Sequence, residues 1–258
     1  METTIEYYPA ERQQKILDVI NQENRVRVAR LVQLFGVSEV TIRSDLTFLA
    51  SQNLIIRTHG GAVIAPKPPE LSLLIRSKQM KSEKWRIGMK AASLVLDGDA
   101  IFLDTSSTSL AIAQQLINHR ELTILTNSLA VAQTMLDAPS VTVVMPGGNL
   151  SRETVSLVGI DGLDLLKKFN IQKGFFGAHG ISHPEGLTDV SFAEAEVKRQ
   201  VLSICREVYA VVDNSKWGRV GLASFAGLDQ IHQIITNQPI PPAMLEQMRF
   251  MGIGLILV

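Results

Sequence analysis

The stretch "LFGVSEVTIRSDLTFL", residues 34–49, decides how the first part of this chain folds. Gly36 can stop one helix, Val37 can plug a turn, and Ser38 offers a hydroxyl to cap the helix that follows. Ile42, Leu46 and Leu49 then recur at the spacing of one buried helical face. Upstream, Ile16, Val19 and Ile20 follow Pro9 at helical spacing, and Leu31, Leu34 and Phe35 repeat the pattern before Gly36. Two short amphipathic helices and a third across a tight turn make a helix-turn-helix. Its inward stripe leaves Ser44 and Thr47 facing outward, flanked by Thr41 and Arg43, side chains able to meet base edges or phosphates in a major groove. "NLIIRTHGGAVI", residues 53–64, follows as a hairpin with Gly60 and Gly61 at its turn and Arg57 and His59 beside it. The prediction is a winged helix over residues 9–64. Ser38, Thr41, Arg43, Ser44, Thr47, Arg57, His59 and Gly60 are its candidate contacts to double-stranded DNA.

Charge placement supports that reading. The chain of 258 residues balances 25 Lys+Arg against 25 Asp+Glu, yet residues 25–90 hold twelve basic and four acidic side chains, whereas residues 91–258 hold eleven and sixteen. The basic excess suits an N-terminal part that meets a polyanion. The one cysteine, Cys205 in "VLSICREV", permits no disulfide within the chain and reads as a buried apolar thiol. The N-terminus lacks an apolar signal core and the apolar runs are too short to span a bilayer, so the expectation is a soluble, cytoplasmic protein with no membrane partner.

"APKPPE", residues 65–70, reads as a Pro-broken connector, and residues 71–99 as helix. Beyond it, the apolar runs "AIFLD", "LTILT", "VTVVM", "KGFFGA", "VYAVVD", "QIIT" and "GLILV" alternate with helical stretches. That alternation predicts an α/β domain over residues 65–258, with a largely parallel sheet whose ligands sit at the carboxyl ends of its strands. Four loops there carry the chemistry. "FLDTSSTSLAIAQQL", residues 102–116, places Asp104, Thr105, Ser106, Ser107, Thr108 and Ser109 where a strand gives way to a helix. Unpaired N–H groups and hydroxyls at such a helix start suit a phosphate. The second loop is Thr126, Asn127 and Ser128, the third Gly147 and Gly148, the fourth Gly177, His179 and Gly180. Taken singly each could be ordinary capping; together they point to a small polar or phosphorylated ligand. Lys216, just past a strand, is a candidate point charge for it, and Arg152 could hold a phosphate or be solvated. Glu194 and Lys198 have salt-bridge spacing, and Ser191 with Glu194 the spacing of a capping box. His179 and His183 share a loop rather than a helix face, so no metal site and no cofactor is expected.

"RQQKILDVI", "LFGVSEVTIRSDLTFL", "LIIRTHGGAV", "DTSSTS", "LTNS", "PGG" and "VDNSKWG" together resemble the DeoR family of bacterial sugar-responsive repressors along nearly the whole chain. The resemblance implies an effector domain similar in fold to ribose-5-phosphate isomerase, with "DTSSTS" as its phosphate loop and a phosphorylated sugar as effector. It also implies a homodimer or homotetramer, and it keeps Lys198 as a possible anion contact. Ser44 stands where the family commonly carries a second Arg, Ser106 where it has Gly, and His179 where it more often has Asp or Asn. The competing reading is a sugar-phosphate isomerase or deaminase with an accessory DNA-binding domain. Proton abstraction beside a carbonyl needs a carboxylate base, and "KGFFGAHGIS" lacks the acidic run of those enzymes.

Overall fold

The computed structural model describes residues 7–51, 54–64, 73–152, 154–159 and 162–258. The chain divides into two compact units, Met1–Ser72 and Leu73–Val258. The connector "APKPPE" lies outside the described residues.

The first unit runs α1 (Pro9–Glu23), β1 (Arg25–Arg27), α2 (Val28–Phe35), α3 (Glu39–Ser51), β2 (Ile55–Thr58) and β3 (Gly61–Ile64). Pro9 begins α1, where a missing N–H costs nothing. Gly36 ends α2 in the left-handed region at φ 66°, and the Thr41 N–H donates to Ser38 Oγ at 3.1 Å to start α3. Ile16, Leu17, Ile20, Leu31, Ile42, Leu46 and Leu49 form the core. Leu34 does not join it and is 55% exposed. On α2 the buried stripe is Val28, Leu31 and Phe35, and Leu34 lies about 60° around the helix from the nearest of these. The wing has three strands, not two, in the order β1-β3-β2, because β1 pairs antiparallel with β3. Three residues are too few to show a strand period. Gly61 opens β3 because a Cβ there would overlap Val26 O across that pair.

The second unit runs α4 (Leu73–Lys78), α5 (Lys81–Ala92), β4 (Ala100–Leu103), α6 (Ser107–Gln115), β5 (Leu122–Thr126), α7 (Leu129–Thr134) and β6 (Val141–Val144). A hairpin of β7 (Asn149–Ser151) and β8 (Ser156–Val158) follows, then α8 (Leu163–Leu166) and β9 (Ile171–Phe176). Next come β10 (Gly180–Ser182), β11 (Gly186–Asp189), α9 (Phe192–Leu202), β12 (Cys205–Val211) and β13 (Ala223–Ala226). The unit closes with β14 (Gln233–Thr236), α10 (Pro242–Phe250) and β15 (Gly254–Leu257). Seven strands form one sheet in the order β15-β14-β12-β9-β4-β5-β6, and every pairing in it is parallel. These are the seven apolar runs of the sequence. Alternate residues feed two cores, Ile101, Leu103, Ile124 and Phe175 on one face and Phe102, Leu125 and Phe176 on the other. The 71–99 stretch is not one helix: α4 and α5 meet at Met80, which adopts φ 50°. Strands β10, β11 and β13 form a separate antiparallel sheet that the sequence reading had not separated out.

After β4 the chain moves outward through β5 and β6, whereas after β9 it moves the other way through β12, β14 and β15. The order of connection thus reverses between β4 and β9, a topological switch point, and in such sheets ligands sit at the carboxyl ends of the strands there.

Candidate functional site

On the first unit, Ser38, Arg43, Ser44, Thr47, Arg57, His59 and Gly60 are exposed, and Thr41 is half-buried beside its bond to Ser38. Three candidates are joined: Arg57 Nη1 donates to Thr47 Oγ1 at 2.9 Å, and Thr47 Oγ1 donates to Arg43 O at 2.7 Å. The wing strand β2 is thereby tied to the outer face of α3. Arg43 also pairs with Glu39 one turn back at 2.6 Å, an exposed contact of small energy that holds the guanidinium along the helix. The opposite face is clamped by an ion pair that the sequence reading missed. Arg12 Nε on α1 meets Asp45 Oδ2 on α3 at 2.6 Å, both side chains are buried, and Gln13 adds a bond to Asp45 at 2.9 Å.

On the second unit, all six residues of the loop leaving β4 are buried. Their hydroxyls divide into two sets. Ser106 caps α6 by accepting the Ser109 N–H at 3.0 Å, and Ser109 Oγ donates to Asp104 Oδ1 at 2.6 Å. Ser107 and Thr108, in the first turn of α6, spend neither hydroxyl on such bonds among the described residues. Asp104 is the hinge of the loop: Oδ1 also accepts the Ser106 N–H at 3.0 Å, and Oδ2 accepts the Gly177 N–H at 2.9 Å. Gly177 packs so closely that a Cβ would overlap the Ser106 side chain. The first and fourth loops are thus in contact. Thr126, Asn127 and Ser128 are buried at the end of β5, and Ser128 caps α7 through the Val131 N–H at 3.3 Å. Asn127 donates to Leu157 O on the β7–β8 hairpin while its Oδ1 is buried with no hydrogen-bond partner among the described residues. Gly147 and Gly148 are exposed, the latter at φ 143° with Val158 O where a Cβ would stand. Arg152 is exposed near the turn of that hairpin.

Glu194 and Lys198 do not pair with each other. Lys198 Nζ lies 2.9 Å from Asp104 and 2.7 Å from Asp189 and donates to Gly177 O at 2.8 Å. Burial alone would favour the neutral amine, but the two carboxylates outweigh it and hold its pKa above the ordinary lysine value. Its charge is matched by these two carboxylates. Glu194 instead accepts hydrogen bonds from Thr105, Thr154 and Ser156 hydroxyls, lashing the loop leaving β4 and the β7–β8 hairpin to α9. Only half of the capping box forms, with the Glu194 N–H donating to Ser191.

A basic cluster lies on the other side of the fourth loop. Lys216 is half-buried with no carboxylate in salt-bridge range among the described residues, and its pKa is lowered first by burial and then by Arg219 and Arg76, against Asp213 and Asp189. Lys84 on α5 donates to Arg76 O and Gln79 O at 2.6 and 2.8 Å and stands 4.0 Å from Asp213. Burial is the main cause that brings its pKa down to about 8. The sequence reading missed Lys84, although its place on the buried stripe with Ile87, Gly88 and Ala91 was a signal. Among the described residues no three His, Cys, Asp or Glu side chains gather as a metal site would need. No described helix is long and apolar enough to cross a membrane.

Residues 12–67 match the DeoR-like helix-turn-helix domain, and residues 79–238 match the DeoR C terminal sensor domain. The chain belongs to the DeoR family. Its relatives include the glycerol-3-phosphate regulon repressor of Escherichia coli (strain K12), 32% identical over 92% of this chain and 94% of that one. The HTH-type transcriptional regulator GolR of Listeria innocua is 33% identical over 95% and 97%, and the HTH-type transcriptional repressor GlcR of Bacillus subtilis (strain 168) 35% over 90% and 89%. A ribose 5-phosphate isomerase from Methanocaldococcus jannaschii superposes on 53% of this chain and 54% of its own, at TM-score 0.40 and 18% identity. This DeoR-family chain is a DNA-binding transcriptional regulator and not an isomerase or deaminase.

Proposed function

We propose that this regulator represses genes of sugar metabolism, and that a phosphorylated sugar bound at the switch point of the second unit releases it from operator DNA. The observation that carries the ligand class is the hydroxyl-rich start of α6, where Ser107 and Thr108 keep unspent donors at a positive helix end. Thr105, Ser106 and Asp104 shape that loop. Thr126, Asn127, Ser128, Gly147 and Gly148 wall the crevice, and His179 and Lys216 supply its basic side. Thr47, Ser44, Arg43 and Arg57 read or grip the duplex, with Ser38, Thr41, His59 and Gly60 at the edges. The protein works in the cytoplasm as a homodimer or homotetramer, since helix-turn-helix proteins commonly bind paired half-sites.

The test is calorimetry on the full chain with glycerol 3-phosphate, ribose 5-phosphate, fructose 6-phosphate and glucose 6-phosphate, each beside its unphosphorylated parent. Charge-assisted hydrogen bonds contribute about 1.5–3 kcal/mol each, so losing two should weaken binding about a hundredfold or more. Equal affinity for phosphorylated and plain compounds, or steady turnover of any of them, overturns the reading.

A further inference from the structure

Gly177 joins the phosphate loop through Asp104 and Ser106, and two residues on the same strand-end carries His179 to the basic side of the site. The backbone here is fixed from both sides. The main-chain N–H of His179 donates to Thr188 O at 2.9 Å, and the following Gly180 lies so close to Arg219 O that no Cβ would fit. Among the described residues the imidazole has no hydrogen-bond partner, so its nitrogens are available to a ligand. The charges facing it come from three directions: Lys216 and Arg219 on the loop after β12, Arg76 on α4, and Asp189 at the end of β11. Asp189 is already held by Lys198 at 2.7 Å, and Lys216 and Arg219 are the cations on the neighbouring loop. Burial first, then Lys216, pushes the His179 pKa below its ordinary value, with Asp189 opposing and Arg219 and Arg76 adding to the fall.

We propose that His179 is a proton-coupled contact for the effector, taking up a proton as the ligand's phosphate dianion settles among His179, Lys216 and the α6 loop. The proposal rests on the phosphorylated-sugar reading above and adds to it a residue role and a dependence on pH. A dianion reverses the sign of the potential at the ring and favours imidazolium. The bound-state pKa then exceeds the free-state one, so the gain in affinity is fully present below the free value and lost as pH rises through the bound value. Each unit between the two is worth about tenfold in affinity. The ligand's own chemistry runs the other way. With a second pKa near 6, a phosphate monoester bound as dianion releases part of a proton near neutrality. Net uptake at pH 7 therefore reports a protein group. Lys84, at about 8, already holds most of its proton there and adds uptake chiefly at more alkaline pH.

The experiment is calorimetry on the full chain at pH 7 in buffers of different ionisation enthalpy, with the tightest-binding phosphate of the panel above. The wild type should take up a fraction of a proton per ligand, and His179→Gln should lose that uptake whatever its absolute affinity. Should the variant not fold, the ring C2–H of His179 in the wild type provides the same test: inorganic phosphate should move its titration midpoint upward. Binding without uptake, equal uptake in wild type and His179→Gln, or an unmoved midpoint overturns the proton coupling and leaves the sugar-phosphate reading standing. A panel of which no member binds overturns both.

Discussion

Single side chains here act mostly by cancelling a buried charge. Asp45 is 3% exposed and answers Arg12, itself 8% exposed, so Asp45→Ala leaves the Arg12 charge without a counter-charge. Breaking a buried pair from one side costs about 3–5 kcal/mol. Urea denaturation should show a loss of that size in the first unit. Thr108 poses the opposite case: it is 4% exposed, yet its hydroxyl makes no hydrogen bond among the described residues. Thr108→Val nearly keeps the shape and removes one donor, so stability should change little while sugar-phosphate affinity falls about tenfold to a hundredfold by calorimetry.

Among elements, the wing and the α4–α5 junction carry the sharpest consequences. Gly61 lets β3 lie against β1, and Gly61→Ala would push Val26 away and loosen the sheet that presents Arg57. Denaturation should show a loss of more than about 1 kcal/mol, and operator affinity should fall with it. Arg57→Ala, by contrast, should leave the fold intact, weaken specific and random DNA alike, and lower the slope of log affinity against log salt by about one. At the junction, Lys84 titrates at about 8 in the fold against an ordinary value of 10.5. Between those values the unfolded chain holds more protons, so this residue makes stability rise with pH across that window. Subtracting the pH profile of Lys84→Met from that of the wild type should isolate that rise.

At the scale of the whole molecule, the two compact units have separate cores, so the fragment 73–258 should fold and bind the same sugar phosphates without DNA. Aggregation of that fragment, or loss of binding, contradicts this. In the full chain, linkage requires that a ligand that weakens operator binding by some factor is itself weakened by operator DNA by the same factor. Two titrations, of DNA at saturating ligand and of ligand at saturating DNA, check the equality.

The sequence by itself determined the helix-turn-helix and the seven strands of the parallel sheet. The 3.6-residue stripe of Ile42, Leu46 and Leu49 and the seven apolar runs are local patterns, and burial on one face or both enforces them wherever the chain goes. It also placed the four polar loops at strand ends, because Gly, Ser and Asp mark turns through their own backbone chemistry. Tertiary structure alone decided which polar groups cancel each other. Glu194 and Lys198 have salt-bridge spacing, but one meets three hydroxyls and the other two aspartates, from loops 9 to 94 residues away. Such partners are set by the fold's long-range contacts, and a buried charge takes whichever opposite charge or donor the packing brings nearest. For the same reason His179 could be read as a loop residue from sequence, while its positive surroundings exist only once α4, β11 and the loop after β12 have come together.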